Sequence, residues 1–170
     1  MVLAAMQITR AADYAVRVMV HLASLPPGSK ARRRDIAEAT DVPESFLSKV
    51  LQQLVQEGMI ASQRGSGGGF RLAASPNVSL LDVMEAIEGP TRLNVCLEPG
   101  LSCERKSWCA AHVVWVEAQA ALEHVLRSAT IAMLAKQCNE NLVSQDRAKK
   151  MGLSGPPASK QAPVQPGPEH

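Results

Sequence analysis

Residues 35–55 decide the fold: Asp35-Ile-Ala-Glu-Ala-Thr-Asp-Val-Pro-Glu-Ser-Phe-Leu-Ser-Lys-Val-Leu-Gln-Gln-Leu-Val55. The pattern predicts a short helix over about 34–39, a turn through residues 40–43 and a second helix over about 44–56. Two helices joined by such a turn make a helix-turn-helix unit. The second helix has one apolar face and one face of short or hydrogen-bonding side chains, as a helix in a DNA major groove requires. The apolar face is Leu47, Val50, Leu51, Leu54 and Val55, and the polar face is Ser45, Ser48, Lys49 and Gln52.

The segment after this unit predicts a β-hairpin. A hairpin at this place favours DNA binding by the polar face of the second helix over a face that is merely solvated. Residues 59–63 and 69–72 form two short strand patterns around Arg64-Gly-Ser-Gly-Gly-Gly69. Glycines adopt positive φ and let a loop approach another backbone closely. With Arg64 and Arg71 beside the loop, the hairpin suits a wing on the DNA backbone or in the minor groove. A P-loop is excluded because no Gly-Lys-Ser/Thr and no helix follow; a plain flexible hairpin is the alternative.

Two groups of residues are expected to contact DNA. The helix-turn-helix group is Arg34, Ser45, Phe46, Ser48 and Lys49, and the wing group is Arg64, Gly65, Gly67, Gly68 and Arg71. In the run Arg32-Arg33-Arg34 we expect phosphate contacts rather than base contacts, and a merely solvated face is the alternative.

Helical patterns flank the helix-turn-helix unit and the hairpin. Thr9 caps a predicted helix that ends before Pro26, and Ser79 caps another over Leu80–Glu88. A long helix from about Cys109 to about Leu126 has its apolar residues in nearly a 3–4 alternation. One such helix on a small domain commonly pairs with its twin in a second subunit.

The C-terminal part predicts a last helix followed by a tail. The helix runs from Ile131 to about Leu142 and carries Cys138, which we expect to be a small buried residue. Residues 144–170 are dominated by Lys, Ser, Gly, Gln and Pro. Such a composition has little apolar surface to bury, so we expect this tail to be disordered.

Between these helices, Cys96, Cys103, Cys109 and His112 follow the spacing Cys-x6-Cys-x5-Cys-x2-His. Thiolates and an imidazole are ligands of zinc and of iron–sulfur clusters. A structural zinc site usually contains a tight Cys-x2-4-Cys knuckle, which this spacing lacks. Wide spacing on an irregular loop suits ligands that wrap a larger object, such as a cluster. An iron–sulfur site is therefore favoured, with zinc and ordinary thiols as the alternatives.

Composition bounds the protein class. A chain of 170 residues suffices for one good hydrophobic core. Because 46% of the residues are hydrophobic and only 3% are aromatic, we expect this core to be aliphatic. Residues 1–75 hold nine Lys/Arg against six Asp/Glu, whereas residues 76–143 hold five against eight. We therefore expect the first half to bind a polyanion.

The expected compartment follows from what the sequence lacks. No apolar run is long enough to span a bilayer, and residues 1–7 have no signal-peptide pattern. We therefore expect a cytoplasmic protein with no membrane partner. Cysteines are kept reduced there, which favours metal or redox roles over disulfides.

The order of winged helix, long helix and cysteine loop resembles the Rrf2 family of bacterial transcription regulators. The resemblance spans about Met6 to Leu142. Besides the cysteine loop, it is carried by Ile8-Thr-Arg-Ala-Ala-Asp-Tyr-Ala-Val-Arg17, Asp35-Ile-Ala37, Arg64-Gly-Ser-Gly-Gly-Gly-Phe70 and Ala86-Ile-Glu-Gly-Pro90.

The resemblance implies a mainly α fold: a winged helix-turn-helix DNA-binding domain, a cysteine-bearing loop and a long C-terminal dimerisation helix. The parts are expected at 1–90 for the DNA-binding domain, 91–109 for the cluster-binding loop, 110–143 for the dimerisation helices and 144–170 for the disordered tail. It further implies a homodimer that binds a partly palindromic double-stranded DNA operator, with an iron–sulfur cluster in each subunit controlling the affinity.

The resemblance also implies ligands for that cluster. In the branch that regulates iron–sulfur biogenesis, three cysteines and a histidine hold a [2Fe-2S] cluster, and Cys96, Cys103, Cys109 and His112 match this pattern, with one more residue in the first interval. In the nitric-oxide-sensing branch, three cysteines and an acidic residue from the partner's first helix hold a [4Fe-4S] cluster. Asp13 occupies the position of that acidic residue in this sequence. Ser48 stands where the first branch carries an acidic residue implicated in discriminating between operators.

Two other classes of function also use cysteine thiols. A thiol-based redox enzyme would usually show Cys-x2-Cys or a nucleophilic cysteine with a basic partner. The sequence does not indicate a substrate pocket or an oxyanion donor, so we expect no enzymatic activity. The main alternative is a cluster-free regulator of the same type that senses oxidants through its cysteine thiols.

Overall fold

The computed structural model describes residues 8–65, 67–73, 77–100 and 103–150. Along the chain the elements are α1 (Arg10–Ser24), α2 (Arg33–Thr40), α3 (Glu44–Gln56), β1 (Ile60–Gln63), β2 (Gly69–Leu72), α4 (Leu80–Glu88), a 3₁₀ turn (Val95–Leu97), α5 (Ala110–Ser128) and α6 (Ile131–Lys150). Among these helices, none is both long and apolar enough to cross a membrane.

The helix-turn-helix unit forms where its sequence pattern predicts it. Asp41 ends α2 in the left-handed region at φ 54°, which reverses the chain into α3. Leu47, Leu51 and Leu54 on α3 are almost fully buried. They pack in one core with Met19 of α1, because a 3.6-residue repeat places them on a single face.

The wing is an antiparallel hairpin in which Ile60 pairs with Leu72 and Gln63 with Gly69. The sequence patterns did not predict a third segment beside it. Ala31 pairs with Phe70 through two backbone hydrogen bonds of 2.9 Å. A Cβ on Gly69 would lie 2.7 Å from the carbonyl oxygen of Ala31. Only a glycine therefore allows this close pairing, which fixes the wing to the segment before α2.

Helix α1 lies at the centre, in contact with α2, α3, α4, β2 and α6. Helix α4 starts in a capping box in which Ser79 and Asp82 bind each other's backbone N–H. At its other end, the side-chain amide of Gln53 donates to the carbonyls of Ala86 and Ile87 at 3.1 and 2.9 Å. Helix α3 is thus tied to the end of α4 by polar contacts as well as by core packing.

The C-terminal helix departs from two expectations. Helix α6 continues to Lys150 rather than ending near Leu142, so the expected disorder is wrong for residues 144–150; residues 151–170 lie outside the described part of the chain. Basic side chains at Arg147, Lys149 and Lys150 favour the helix C-terminus electrostatically. Cys138 is exposed rather than buried. Among the residues of α6 whose burial the structure describes, those that are buried, Ile131 and Ala135, lie in its first turns.

Candidate functional site

The polar face of α3 is open to solvent in this chain. Ser45, Phe46, Ser48 and Lys49 are all exposed, as a surface that contacts DNA requires. Phe46 is 48% exposed, and its ring meets Tyr14 of α1 edge-on at 5.8 Å. The aromatic contact holds one side of the ring and leaves the rest available to a partner.

Two arginines of α2 behave differently. Arg33 reaches across to α3, where its Nη1 donates to Ser48 Oγ at 3.2 Å and its Nη2 lies 3.7 Å from the Glu44 carboxylate. Arg34 instead pairs with Glu38 one turn along α2, with Nε 3.0 Å from Oε1. The sequence patterns suggested phosphate contacts for the whole run Arg32-Arg33-Arg34, with Arg34 among the residues expected to contact DNA, and missed the link of Arg33 to the polar face of α3.

The wing carries its predicted basic residues on the surface. Arg64 and Arg71 are exposed, and Arg71 Nη1 donates to the Leu72 carbonyl at 3.3 Å. Gly65 has φ 103°, and the N–H of Gly68 donates to its carbonyl at 2.9 Å, so the described tip residues form a tight turn. A Cβ on Gly68 would overlap the backbone oxygens of Gln63 and Gly65. Ser66 lies outside the described residues.

The structure brings together two of the four expected metal ligands. Cys96 lies in the 3₁₀ turn and His112 in the first turn of α5. The Cys96 Sγ is 3.5 Å from His112 Nδ1. Cys103 and Cys109 are half-buried, and all three thiols of the loop are free. The histidine is positioned by its backbone N–H, which donates to the Cys109 carbonyl at 3.0 Å.

The donor set fits an iron–sulfur cluster in its chemistry but is not gathered in one place. Three free thiols and an imidazole are the ligand types that such clusters take. Among the described residues, however, no three His, Cys, Asp or Glu side chains lie close enough to hold a metal ion. Cys96 and His112 are the two expected ligands that lie in contact.

A buried glutamine on α5 holds the entrance to the cysteine loop. The side chain of Gln119, which is 8% exposed, accepts from the N–H of Leu93 and donates to the carbonyl of Thr91, each at 2.8 Å. Its amide also donates to Glu123, which lies 3.4 Å from Arg92. Thr91 in turn donates its N–H to Glu85 of α4 at 3.1 Å.

The sequence patterns did not single out Gln119. Gln119 follows His112 by seven residues and Trp115 by four, so the three side chains lie on one face of the predicted helix. This spacing is the signal that could have drawn attention to Gln119. A polar residue within such a face has to find hydrogen-bond partners when the face is buried. Here those partners are backbone groups of the loop.

Asp13, the alternative fourth ligand, lies on α1. Its carboxylate pairs with Arg17 at 2.7 Å and is half-exposed. The role expected for it involves a second subunit and stays a prediction, as do the roles of the other ligands and DNA contacts.

Comparison with known proteins identifies the family. The Rrf2 model, described as an iron-dependent transcriptional regulator, matches residues 8–137. The HTH-type transcriptional regulator NsrR of Bacillus subtilis is 31% identical over 131 residues, which are 76% of this chain and 83% of that protein. The HTH-type transcriptional regulator IscR of Vibrio campbellii is 29% identical over 143 residues, 84% of each chain.

Solved structures agree with this assignment. CymR, the global cysteine regulator of B. subtilis, has a TM-score of 0.64 at 25% identity, over 78% of this chain and 98% of that one. The IscR of T. potens has a TM-score of 0.63 at 25% identity, over 79% and 90%. The mainly α winged-helix fold and the family resemblance are thereby confirmed. The chain belongs to the Rrf2 family of DNA-binding transcriptional regulators.

Proposed function

We propose that this regulator is a homodimer whose affinity for a partly palindromic DNA operator is controlled by an iron–sulfur cluster at Cys96, Cys103, Cys109 and His112. The observation that carries the proposal is the contact of Cys96 with His112, within a loop that Glu85 ties to α4 of the DNA-binding part and Gln119 ties to α5. Relatives named IscR and NsrR, and the family description as iron-dependent, support it.

The donor set favours a [2Fe-2S] cluster, because the imidazole that contacts Cys96 belongs to the same chain. When bound, such a cluster supplies one-electron redox chemistry, with a potential set by its ligands, hydrogen bonds and exposure. A [4Fe-4S] cluster with Asp13 of a second subunit in place of His112 is the other form of the proposal. Both forms use the same three thiols.

A chain of hydrogen bonds links the recognition helix to the cysteine loop. Gln53 of α3 binds the last carbonyls of α4, Glu85 of α4 accepts from Thr91, and Gln119 binds both Thr91 and Leu93. Leu93 lies three residues before Cys96. A movement of the loop that brought its thiols together would therefore change the hydrogen bonds of Leu93 and Thr91. Ligand binding shifts the DNA-binding equilibrium only as far as it favours one arrangement of these residues.

The homodimer is supported by exposed valines on α5. Val113, Val114 and Val125 are 60, 60 and 61% exposed, and Gln119 is the one buried residue of this helix in the single chain. Covering aliphatic side chains in a second copy removes apolar surface from water. Two copies related by a twofold axis would present two recognition helices to successive major grooves, which a palindromic operator matches.

The test is analysis of anaerobically purified protein for iron and acid-labile sulfide, with absorption and EPR spectra. We expect iron and sulfide in the wild type and their loss in Cys96→Ser. The matched control is Cys138→Ser, which removes an exposed thiol outside the loop. His112→Ala and Asp13→Ala distinguish the two forms, since only the variant lacking the true fourth ligand changes the spectrum. Equal iron and sulfide in Cys96→Ser and the control contradict the assignment of ligands.

A second function is favoured by the free thiols of the same loop: a regulator that senses oxidants through them. A peroxide would oxidise one thiolate to a sulfenic acid while being reduced, and a second thiol would condense with it to a disulfide, releasing water. Three free, half-buried thiols in one irregular loop are the observation that supports it. This function predicts metal-free protein whose operator affinity changes reversibly with peroxide and dithiothreitol, and iron-loaded protein contradicts it.

A further inference from the structure

We infer that Arg33 reads a guanine in the operator, as a base-contacting residue held in place by Ser48 and Glu44. The inference rests on DNA recognition by the polar face of α3 and is independent of any cofactor in the cysteine loop. It departs from the expectation that the whole run Arg32-Arg33-Arg34 contacts phosphates.

The first ground is position. Arg33 stands at the start of α2, but its guanidinium crosses the turn and lies on α3, 3.2 Å from Ser48 Oγ and 3.7 Å from the Glu44 carboxylate. Glu44 and Ser48 are four residues apart and share one helical face. The guanidinium thus becomes part of the face that also carries Ser45 and Lys49, and it enters the groove when that face does.

The second ground is unused hydrogen-bonding capacity. A guanidinium has more N–H donors than its contacts to Ser48 and Glu44 employ. The Arg33 side chain remains 55% exposed, so its outer edge can still reach a ligand. Guanine presents two acceptors, O6 and N7, toward the major groove, and a bidentate arginine is their commonest specific partner.

The third ground is charge. The Glu44 carboxylate, 61% exposed beside Arg33, would repel a phosphate placed at the same guanidinium, whereas an uncharged base edge meets no such repulsion. Two contacts on one side of the guanidinium also hold its plane before binding, which reduces the entropy lost when it docks. Arg34 differs in position: its side chain is 82% exposed and paired with Glu38 along its own helix, so it does not join the polar face of α3.

The experiment starts from an operator enriched by the wild-type protein from a pool of random duplexes. Affinities of wild type, Arg33→Ala, Arg33→Lys and the matched control Arg34→Ala are then measured on every single-base substitution of that operator, at several salt concentrations. Iron content is determined on the same preparations, so that the outcome for the cysteine loop is known separately.

We expect Arg33→Ala to lose roughly 5- to 150-fold in affinity for the operator and to become indifferent to one G·C pair in each half-site. Arg33→Lys should not restore the preference, because an ammonium lacks the planar fork. Arg34→Ala should leave every base preference in place, because the Arg34 side chain is paired along α2 and does not join the polar face of α3.

The inference is overturned if Arg33→Ala keeps the full pattern of base preferences, whether its affinity is unchanged or uniformly reduced. Failure of the wild type to enrich any sequence would overturn both this inference and operator recognition. Metal-free wild type that still enriches an operator would count only against the proposed cofactor.

Discussion

The side-chain oxygen of Gln119 lies 2.8 Å from the backbone nitrogen of Leu93, so that helix α5 holds the chain where it enters the cysteine loop. The amide of the same side chain is donated to Thr91. One buried residue therefore satisfies a donor and an acceptor of the loop backbone, which places a structural constraint close to the proposed metal ligands.

Replacing Gln119 by Met should lower the free energy of unfolding by about 2 kcal/mol, because it removes the partners of Leu93 and Thr91 while keeping the side-chain volume. Chemical denaturation monitored by circular dichroism measures this change. Gln137→Met is the control, since Gln137 is exposed on α6 and bonds only Asn141 among the described residues. Equal stabilities of the two variants would show that the contacts of Gln119 do not hold the loop.

The close pairing of the wing with Ala31 predicts a difference between two neighbouring glycines. Gly69→Ala should destabilise the protein by about 1–3 kcal/mol, since its Cβ would meet the Ala31 carbonyl oxygen. Gly67→Ala should change stability by less than about 0.5 kcal/mol, because a Cβ at Gly67 meets no atom of the described residues within 4 Å. Thermal unfolding of both variants checks this, and a destabilised Gly67→Ala with a normal Gly69→Ala would contradict the wing packing.

The exposed Arg64 of the wing predicts a sequence-independent effect on DNA binding. Arg64→Ala should weaken binding to operator and non-operator duplexes alike, and the slope of log affinity against log salt should fall by about 1. Titrations at three or more salt concentrations measure both quantities, and iron content and dimerisation should stay at wild-type levels. Unchanged affinity at every salt concentration would remove Arg64 from the interface.

The environment of His21 predicts how stability depends on pH. Burial lowers the pKa of His21, an effect that Asp35 partly offsets. The fold thus favours the neutral imidazole, and the unfolded chain takes up a proton first as pH falls. The stability contributed by neutral His21 is complete above its ordinary pKa of 6.5 and is lost as pH falls toward the lowered value.

Denaturation at pH 7.5 and at pH 5.5 tests this sign. His21→Gln should lose less stability than the wild type between the two values, because glutamine does not titrate. His124→Gln, at an exposed position of α5, is the control for replacing a histidine as such. A wild type that becomes more stable at the lower pH, with His21→Gln unaffected, would contradict the direction of the shift.

Local patterns were sufficient to predict the helix-turn-helix unit and the hairpin. The burial of Leu47, Leu51 and Leu54 follows from the helical repeat, and the start of α4 follows from Ser79. These features depend on residues close in sequence, where spacing and capping chemistry act directly.

Contacts between distant residues could not be predicted in this way. The pairing of Ala31 with Phe70 and the hold of Gln119 on Leu93 join segments far apart in the chain. The contact of Arg33 with Ser48 depends on the angle between α2 and α3 rather than on spacing. Cys138 is exposed because only the first turns of α6 pack against the other helices. The composition of α6 does not indicate this.

The most direct test of the central claim is operator affinity measured without oxygen on two proteins: the wild type, and a variant with Cys96, Cys103 and Cys109 all changed to Ser. We predict coloured, iron-containing wild type, a colourless variant, and dissociation constants that differ at least about tenfold, in line with the usual size of coupling between two sites. Identical affinities, with wild type that is itself free of iron and sulfide, would contradict control of DNA binding by a cofactor in this loop.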